Sequence, residues 1–274
     1  VSVEALTGGL MAFTTGELRM LEQIPFTILG ETPDLLAIEK PPFLLVHPSK
    51  PGGPVTLWDH LKELLAYEIA SGGQVSLINR LDRETSGIVL VAKHPRAARA
   101  CAMAMERGEI GKEYLAVVTG WPELEQWSVR EPILRLGEVQ DSRIWLKRGV
   151  HPRGVTARTD FRIEQRLMHK FHGPLSVVRC WPRTGRTHQI RVHLSHSGHP
   201  VVGDKIYGNP PAGEECYLEF INTGWSAELE ERLWLPRHAL HSCLLSLNLD
   251  GVSHQWTSEL PEDLRNFLKD TDKI

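Results

Sequence analysis

Residues 87–92, Gly-Ile-Val-Leu-Val-Ala, put no polar side chain on either side of an extended chain. Side chains of a strand alternate between the two faces of its sheet, so a half-wet strand must alternate apolar with polar residues. This run does not alternate. It predicts a strand buried on both sides, closely preceded by a charged turn-like stretch, "NRLDRETS" at 79–86. The rest of the pattern is mixed. "DLLAIEK" at 34–40 reads as a strand stopped at Pro41-Pro42, and "KEYLAVVTG" at 112–120 as another. "TLWDHLKELLAYEIASGG" reads as one amphipathic helix with Leu57, Leu61, Leu64, Leu65 and Ile69 on a shared face, ended by Gly72-Gly73. "PRAARACAMAMERG" reads as a helix opened by Pro95 and closed at Gly108. Residues 125–185 look like a meander of strands. "THQIRVHLSHSG" looks like a helix capped by Thr187, with Ile190 and Leu194 one turn apart and Gly198 beyond its end. Trp225 and Trp234 mark a further loop region, and "RHALHSCLLSLNL" a late strand. Without a clean strand-helix-strand alternation, the fold class is α+β.

Composition narrows the function classes. The 274 residues are 41% apolar and 24% charged, as in a soluble globular protein, and no apolar run approaches a membrane span. The N-terminus shows neither a basic nor a long apolar segment of the kind that directs secretion and does not read as a signal peptide; four well-separated cysteines make a reducing cytoplasm the expected compartment. Cys101, Cys180, Cys216 and Cys243 are far apart, which argues against a disulfide scaffold or a zinc knuckle. Net charge is −3, yet Arg143–Arg191 holds twelve basic residues against Asp160 and Glu164. Residues 209–274 hold twelve acids against five bases. A basic middle in an acidic chain is what a local polyanion site requires, and equally what solvated strand faces display.

Four groups of residues carry candidate chemistry. Asp82 lies in good turn chemistry, where an aspartate bonds its own backbone; alternatively it is a nucleophile or base kept ionised by flanking arginines. His188, His193, His196 and His199 are spaced by five, three and three, but no carboxylate or cysteine interleaves, and no metal is expected. Arg183, Arg186 and Arg191 near a helix start suit phosphate or carboxylate partners. Tyr114 fits a core position or a base-stacking one.

Taken in order, "EKPPFLLVHP", "INRLDRETSGIVLVAK", "KEYLAVVTG", "RTGRTHQIRVHLSHSGHPVVGDKIYG" and "RHALHS" resemble the RluA-type pseudouridine synthases from about Leu35 to Leu249. The resemblance implies a mixed, largely antiparallel central sheet with flanking helices and loops and an active-site cleft across it. It implies that residues 35–274 form the catalytic domain. Residues 1–34 would be an extension, too short for the S4-type RNA-binding domain that the family often carries. It also implies roles. Asp82 matches the catalytic aspartate and Arg191 its ion-pair partner. Tyr114 and Ile190 match the residues that sandwich the uracil, Tyr114 being a candidate for removing the C5 proton. Arg80 matches the arginine that fills the place of the flipped uridine, while Arg186 and His188 support or contact RNA. Asn79 stands where the family usually has histidine. The expected activity is isomerisation of a uridine in rRNA or tRNA, with no cofactor, no metal and no membrane, by a monomer. Two alternatives are an RNA-binding protein that kept the fold without catalysis, and a glycosidase using Asp82 and Glu84. A glycosidase would leave the basic middle and the Thr-His-Gln-Ile-Arg segment unexplained.

Overall fold

The computed structural model describes residues 24–48, 52–208 and 213–274. Most of the expected N-terminal extension, residues 1–23, lies outside the described residues. The strands are β1 (Thr27–Glu31), β2 (Leu35–Lys40), β3 (Ser76–Leu77), β4 (Ser86–Ala92), β5 (Gly111–Thr119), β6 (Gln126–Val129), β7 (Ile133–Arg135), β8 (Arg148–Val150), β9 (Thr159–His169), β10 (Gly173–Pro182), β11 (Leu240–Leu249), β12 (Val252–Thr257) and β13 (Thr271–Lys273). The helices are α1 (Leu57–Leu64), α2 (Ala66–Ala70), α3 (Pro95–Glu106), α4 (Gln189–His196), α5 (Gly213–Thr223), α6 (Ala227–Leu233) and α7 (Glu262–Leu268).

The main sheet runs β1-β2-β4-β11-β5-β10-β9-β13, with β3 on β4, β12 on β11 and β6 on β9; β7 and β8 form a separate two-stranded sheet. Among the described strands β4 and β11 alone pair in parallel, so the sheet is mixed and largely antiparallel. Every residue of β4 is buried, as its lack of alternation requires. Ile88, Leu90 and Ala92 face Ala97, Cys101 and Ala104 of α3, while Val89 and Val91 join Leu57 and Leu61 of α1 on the other face. All four cysteines are buried free thiols.

Four expectations need correction. The helix over 56–71 is two helices broken at Leu65, whose backbone (φ −99°, ψ 26°) leaves the helical path. Residues four apart drift by about 40° per step around a helix axis. Leu57, Leu61 and Leu65 still reach the core, but Ile69 has rotated away and is 38% exposed. Thr187 does not cap α4: His188 occupies that position in a left-handed conformation (φ 58°) with no side-chain cap, and Gln189 Oε1 instead accepts from the Arg186 N–H at 3.0 Å. The region around Trp225 is helical on both sides, in α5 and α6, because Leu229 and Leu233 bury against Cys216 and give these short acidic helices a common core. Finally, β1 lies within the stretch assigned to the extension yet pairs with β2.

The parallel contact between β4 and β11 is short, His241 opposite Ser86 and Ser242 opposite Gly87. Side chains fasten it. Thr85 Oγ1 and His238 Nε2 are 2.7 Å apart, and Ser86 Oγ and His241 Nδ1 are 3.0 Å apart. Gly87 makes the approach possible. Its φ is +109°, and a Cβ there would meet the Ser242 carbonyl oxygen at 2.2 Å. The backbone on both sides is fixed by the sheet, so the clash cannot relax cheaply. Gly87→Ala should therefore lower the unfolding free energy by about 3 kcal/mol or more. Gly108 also has positive φ but open space around it, and Gly108→Ala should cost only about 1–2 kcal/mol. Urea denaturation of both variants is the check; equal losses would remove the close approach as the reason for glycine.

Candidate active site

The site forms where two neighbours of β4 part company. Along one edge, Ala92 and Val91 pair with β3, and Ser86 and Gly87 pair with β11. The groups between them are satisfied by residues just past β3. The Ile78 N–H donates to the Leu90 carbonyl at 2.8 Å. The Asn79 side chain donates to the Ile88 carbonyl at 2.9 Å and accepts from the Leu90 N–H at 2.8 Å. This buried amide answers what asparagine does at 79: it serves as a rung of the ladder. The backbone is then free to leave the sheet at Arg80, and Asp82 emerges in the gap.

The seven residues to which the resemblance assigns roles, Arg80, Asp82, Tyr114, Arg186, His188, Ile190 and Arg191, all line one cleft of about 570 Å³. Arg191, on the first turn of α4, is 4% exposed. Its Nη1 donates to Asp82 Oδ2 at 2.8 Å, and its Nε and Nη2 form a fork on Asp204 at 2.6 and 2.8 Å. Asp204 is fully buried and also accepts the N–H groups of Ile206 and Tyr207, each at 3.0 Å. One carboxylate thus fixes the guanidinium so that the other can face the cleft with its side chain 26% exposed.

Burial pushes the Asp82 carboxyl up, but neighbouring positive charge and the Arg191 hydrogen bond outweigh it and hold it below the usual aspartate value. His188 Nε2 lies 3.9 Å from Asp82. Burial lowers the His188 pKa to about 4, so at neutral pH it is uncharged, and Arg191 is the group that keeps Asp82 ionised. The left-handed His188 is held by a 2.7 Å bond between Nδ1 and Tyr207 Oη. Burial pushes the Tyr114 phenol up to about 12, which leaves it protonated at neutral pH. Lys40 is fully buried below the Asp82 loop, where it donates to the carbonyls of Pro41 (2.7 Å), Leu44 (3.1 Å) and Arg83 (3.1 Å). Desolvation lowers its pKa to about 7.

Some expectations are redirected. Neither Arg80 nor Arg83 pairs with Asp82; its partner comes from a segment more than a hundred residues away. Glu84, the second carboxylate of the glycosidase alternative, turns from the cleft to Lys205 Nζ at 2.9 Å. Much of the basic middle is neutralised by carboxylates. Arg158 and Arg183 meet Asp160, Arg162 and Arg179 meet Glu164, Arg166 meets Glu125, and Lys147 meets Glu214. The histidines of the Thr-His-Gln-Ile-Arg segment go to separate partners: His188 to Tyr207, His193 to Thr159 and His199 to the Thr119 carbonyl. Among the described residues no group of three or more His, Cys, Asp and Glu converges as a metal site. Asp204, Lys205, Tyr207, Lys40 and His238 were not singled out from the sequence. Asp204, Lys205 and Tyr207 stand in the quoted "GDKIYG", but no spacing rule separates them from turn residues.

Three histidines around this site, the half-buried His188 and the buried His238 and His241, have pKa values lowered chiefly by desolvation, to about 4 for His188 and His241 and well below the ordinary value for His238. A histidine lowered in the folded state gives stability that is fully present above its unfolded value near 6.5. That stability is lost as pH falls from there toward 4, because the unfolded chain takes up the proton first. Each should remove about 1.4 kcal/mol per pH unit across that window. Urea midpoints at pH 7.5, 6 and 5 should fall in step, and His241→Gln should flatten the slope by about one proton. A midpoint constant from pH 7.5 to 5 would contradict neutral burial of these rings.

The RNA pseudouridylate synthase family profile matches residues 34–196. Ribosomal large subunit pseudouridine synthase D of Yersinia pestis is 36% identical over 256 residues, covering 90% of this chain and 71% of that protein. Two human structures share the fold. RNA pseudouridylate synthase domain containing 4 has TM-score 0.68 and 22% identity, covering 94% of this chain and 97% of its own. Domain containing 1 has TM-score 0.66 and 22% identity, covering 91% and 89%. With a family profile across more than half its length and a 36% identical relative spanned over most of its own, the chain belongs to the RNA pseudouridylate synthase family.

Proposed function

We propose that this RNA pseudouridine synthase isomerises a uridine of large-subunit ribosomal RNA, with Asp82 as the reacting carboxylate. The carrying observation is an ionised Asp82 held by Arg191 at 2.8 Å in a cleft that Tyr114 and Ile190 also line. In the reaction the bond from N1 to C1′ breaks, the uracil turns, and C5 bonds to C1′; the C5 proton is lost and N1 gains one. No electron is gained or lost overall, so the chemistry calls for no redox cofactor. Attack of Asp82 on C1′ and proton removal at C2′ both require the carboxylate form, which Arg191 secures. Tyr114, kept neutral by burial, and Ile190 act as walls for the detached ring. Arg80 is exposed on the cleft and makes no ion pair among the described residues, which suits a guanidinium that fills the gap left in the RNA. The ribosomal substrate is supported by the name of the 36% identical relative. A monomer acting in the cytoplasm without metal completes the proposal, in keeping with a ribosomal RNA substrate and buried free thiols. No helix among the described residues is long and apolar enough to cross a membrane.

Two experiments test this. Wild-type protein incubated with deproteinised large-subunit rRNA should form pseudouridine at a defined uridine. Asp82→Asn should lose at least about a thousandfold, on the order of 4 kcal/mol of barrier, with RNA affinity kept. Modification confined to tRNA would reject the ribosomal substrate, and an Asp82→Asn variant retaining about a tenth of activity would reject the carboxylate's role.

Arg191→Lys should keep a positive charge but lose the fork that ties Asp82 to Asp204. The weaker hold lets burial raise the Asp82 pKa, so the acid limb of the pH–rate profile should move to higher pH with activity only partly restored at the plateau. An unchanged profile together with weakened RNA binding would reassign Arg191 to a phosphate.

A further inference from the structure

The small sheet of β7 and β8 holds a feature that the proposed isomerisation does not use. Trp145, in the loop between these strands, is 76% exposed. The Arg135 guanidinium lies over its ring, 3.7 Å from the centroid, and is tied back by Glu138 at 3.2 Å. A large ring is thus backed by a fixed cation and otherwise presented to solvent. Its position leads to the cleft. Arg135 is in register with Arg148. The Arg148 N–H donates to Tyr207 Oη at 2.8 Å, and the same oxygen bonds His188 on the cleft wall at 2.7 Å. The nearby charge is also distinctive. Arg158, Arg162, Arg179 and Arg183 of the basic middle are paired, whereas Arg148, Arg153 and Arg186 make no ion pair among the described residues. Arg153 and Arg186 are exposed, and Arg186 sits on the cleft rim.

We infer that Trp145, stacked on Arg135, is a subsite for an RNA base flanking the target uridine, with Arg153 and Arg186 taking phosphates on the way to the cleft. This deepens the proposed function and rests on it for the identity of the ligand. A base has a flat face for the ring and a phosphate for the cations. An acidic peptide would meet the charge and leave the indole unused.

The test is binding of a fluorescein-labelled oligouridylate to the full chain at fixed salt, read by anisotropy, beside heparin as a polyanion without bases. Trp145→Leu keeps apolar area but no π face and should weaken oligouridylate binding about tenfold, while Trp145→Phe should stay within about threefold of wild type. Neither variant should alter heparin binding. Arg153→Gln should lower the log–log salt slope by about 0.7. The exposed position makes misfolding avoidable, and thermal unfolding of each variant checks it. Oligouridylate affinity unchanged in Trp145→Leu, or lost equally for heparin, would overturn the subsite. Because binding is read without turnover, a wild-type protein that binds through Trp145 but forms no pseudouridine in large-subunit rRNA would overturn the proposed ribosomal substrate and keep the subsite.

Discussion

The contact between the start of β4 and the start of β11 sets the geometry of everything near the cleft. It brings Thr85, Ser86 and Gly87 against His238, His241 and Ser242, two segments about 150 residues apart in sequence. A parallel pair of two residues is weak as a ladder, so it depends on buried side-chain bonds and on the absence of a Cβ at 87. Burial, the largest influence on both rings, lowers the pKa of His238 and His241, so these bonds are made by uncharged imidazoles at neutral pH. The loop from Arg80 to Glu84 hangs between this contact and the Asn79 amide, so both of its ends are fixed to the same strand. A second close approach repeats the device: a Cβ at Gly203 would meet the Arg237 carbonyl oxygen at 2.0 Å, and its φ is +76°. That places Asp204 and Lys205 beside the loop, on Arg191 and Glu84 respectively.

A buried arginine between two carboxylates is costly to assemble, since each ion gives up its water. Here the geometry offsets that cost by making every lone pair count. Asp204 takes the guanidinium fork and two backbone N–H groups, while Asp82 takes one bond and keeps the rest of its carboxylate toward the cleft. The asymmetry is the useful part. Asp204 carries the structural work, and Asp82 retains lone pairs for a substrate. Removing either partner of such a buried pair typically costs about 3–5 kcal/mol, so the arrangement is unforgiving of change.

The double burial of β4 was legible because period-two alternation fails so completely across 87–92, and the covering helix over 95–106 was legible from Pro95 and Gly108. The cleft residues were legible through the resemblance, which quotes Asp82, Tyr114 and Arg191 in strings long enough to be specific. Partners across the sheet were not. Nothing in a linear sequence says that Arg179 will meet Glu113 on the adjacent strand or that Arg166 will meet Glu125, so the basic middle looked more like an open polyanion surface than it is. The break at Leu65 was hidden for a related reason: leucines at intervals of four fit a straight helix locally, and only the core they reach decides where the helix stops. Asp204 was hidden because a glycine-aspartate pair is ordinary turn chemistry.

The Asn79 amide has a consequence for the path this loop can take. A sheet edge normally demands that the chain keep its register until it leaves, because every unpaired backbone group inside is expensive. By letting one side chain close the gap on Ile88 and Leu90, the protein ends its obligation to the ladder at a single residue. From Arg80 onward the path of the connection is uncoupled from the pairing of β4, so the loop can swing Asp82 out to Arg191 without shifting the strand beneath it. The sheet is a fixed chassis, and residue 79 is the joint from which the reactive loop departs.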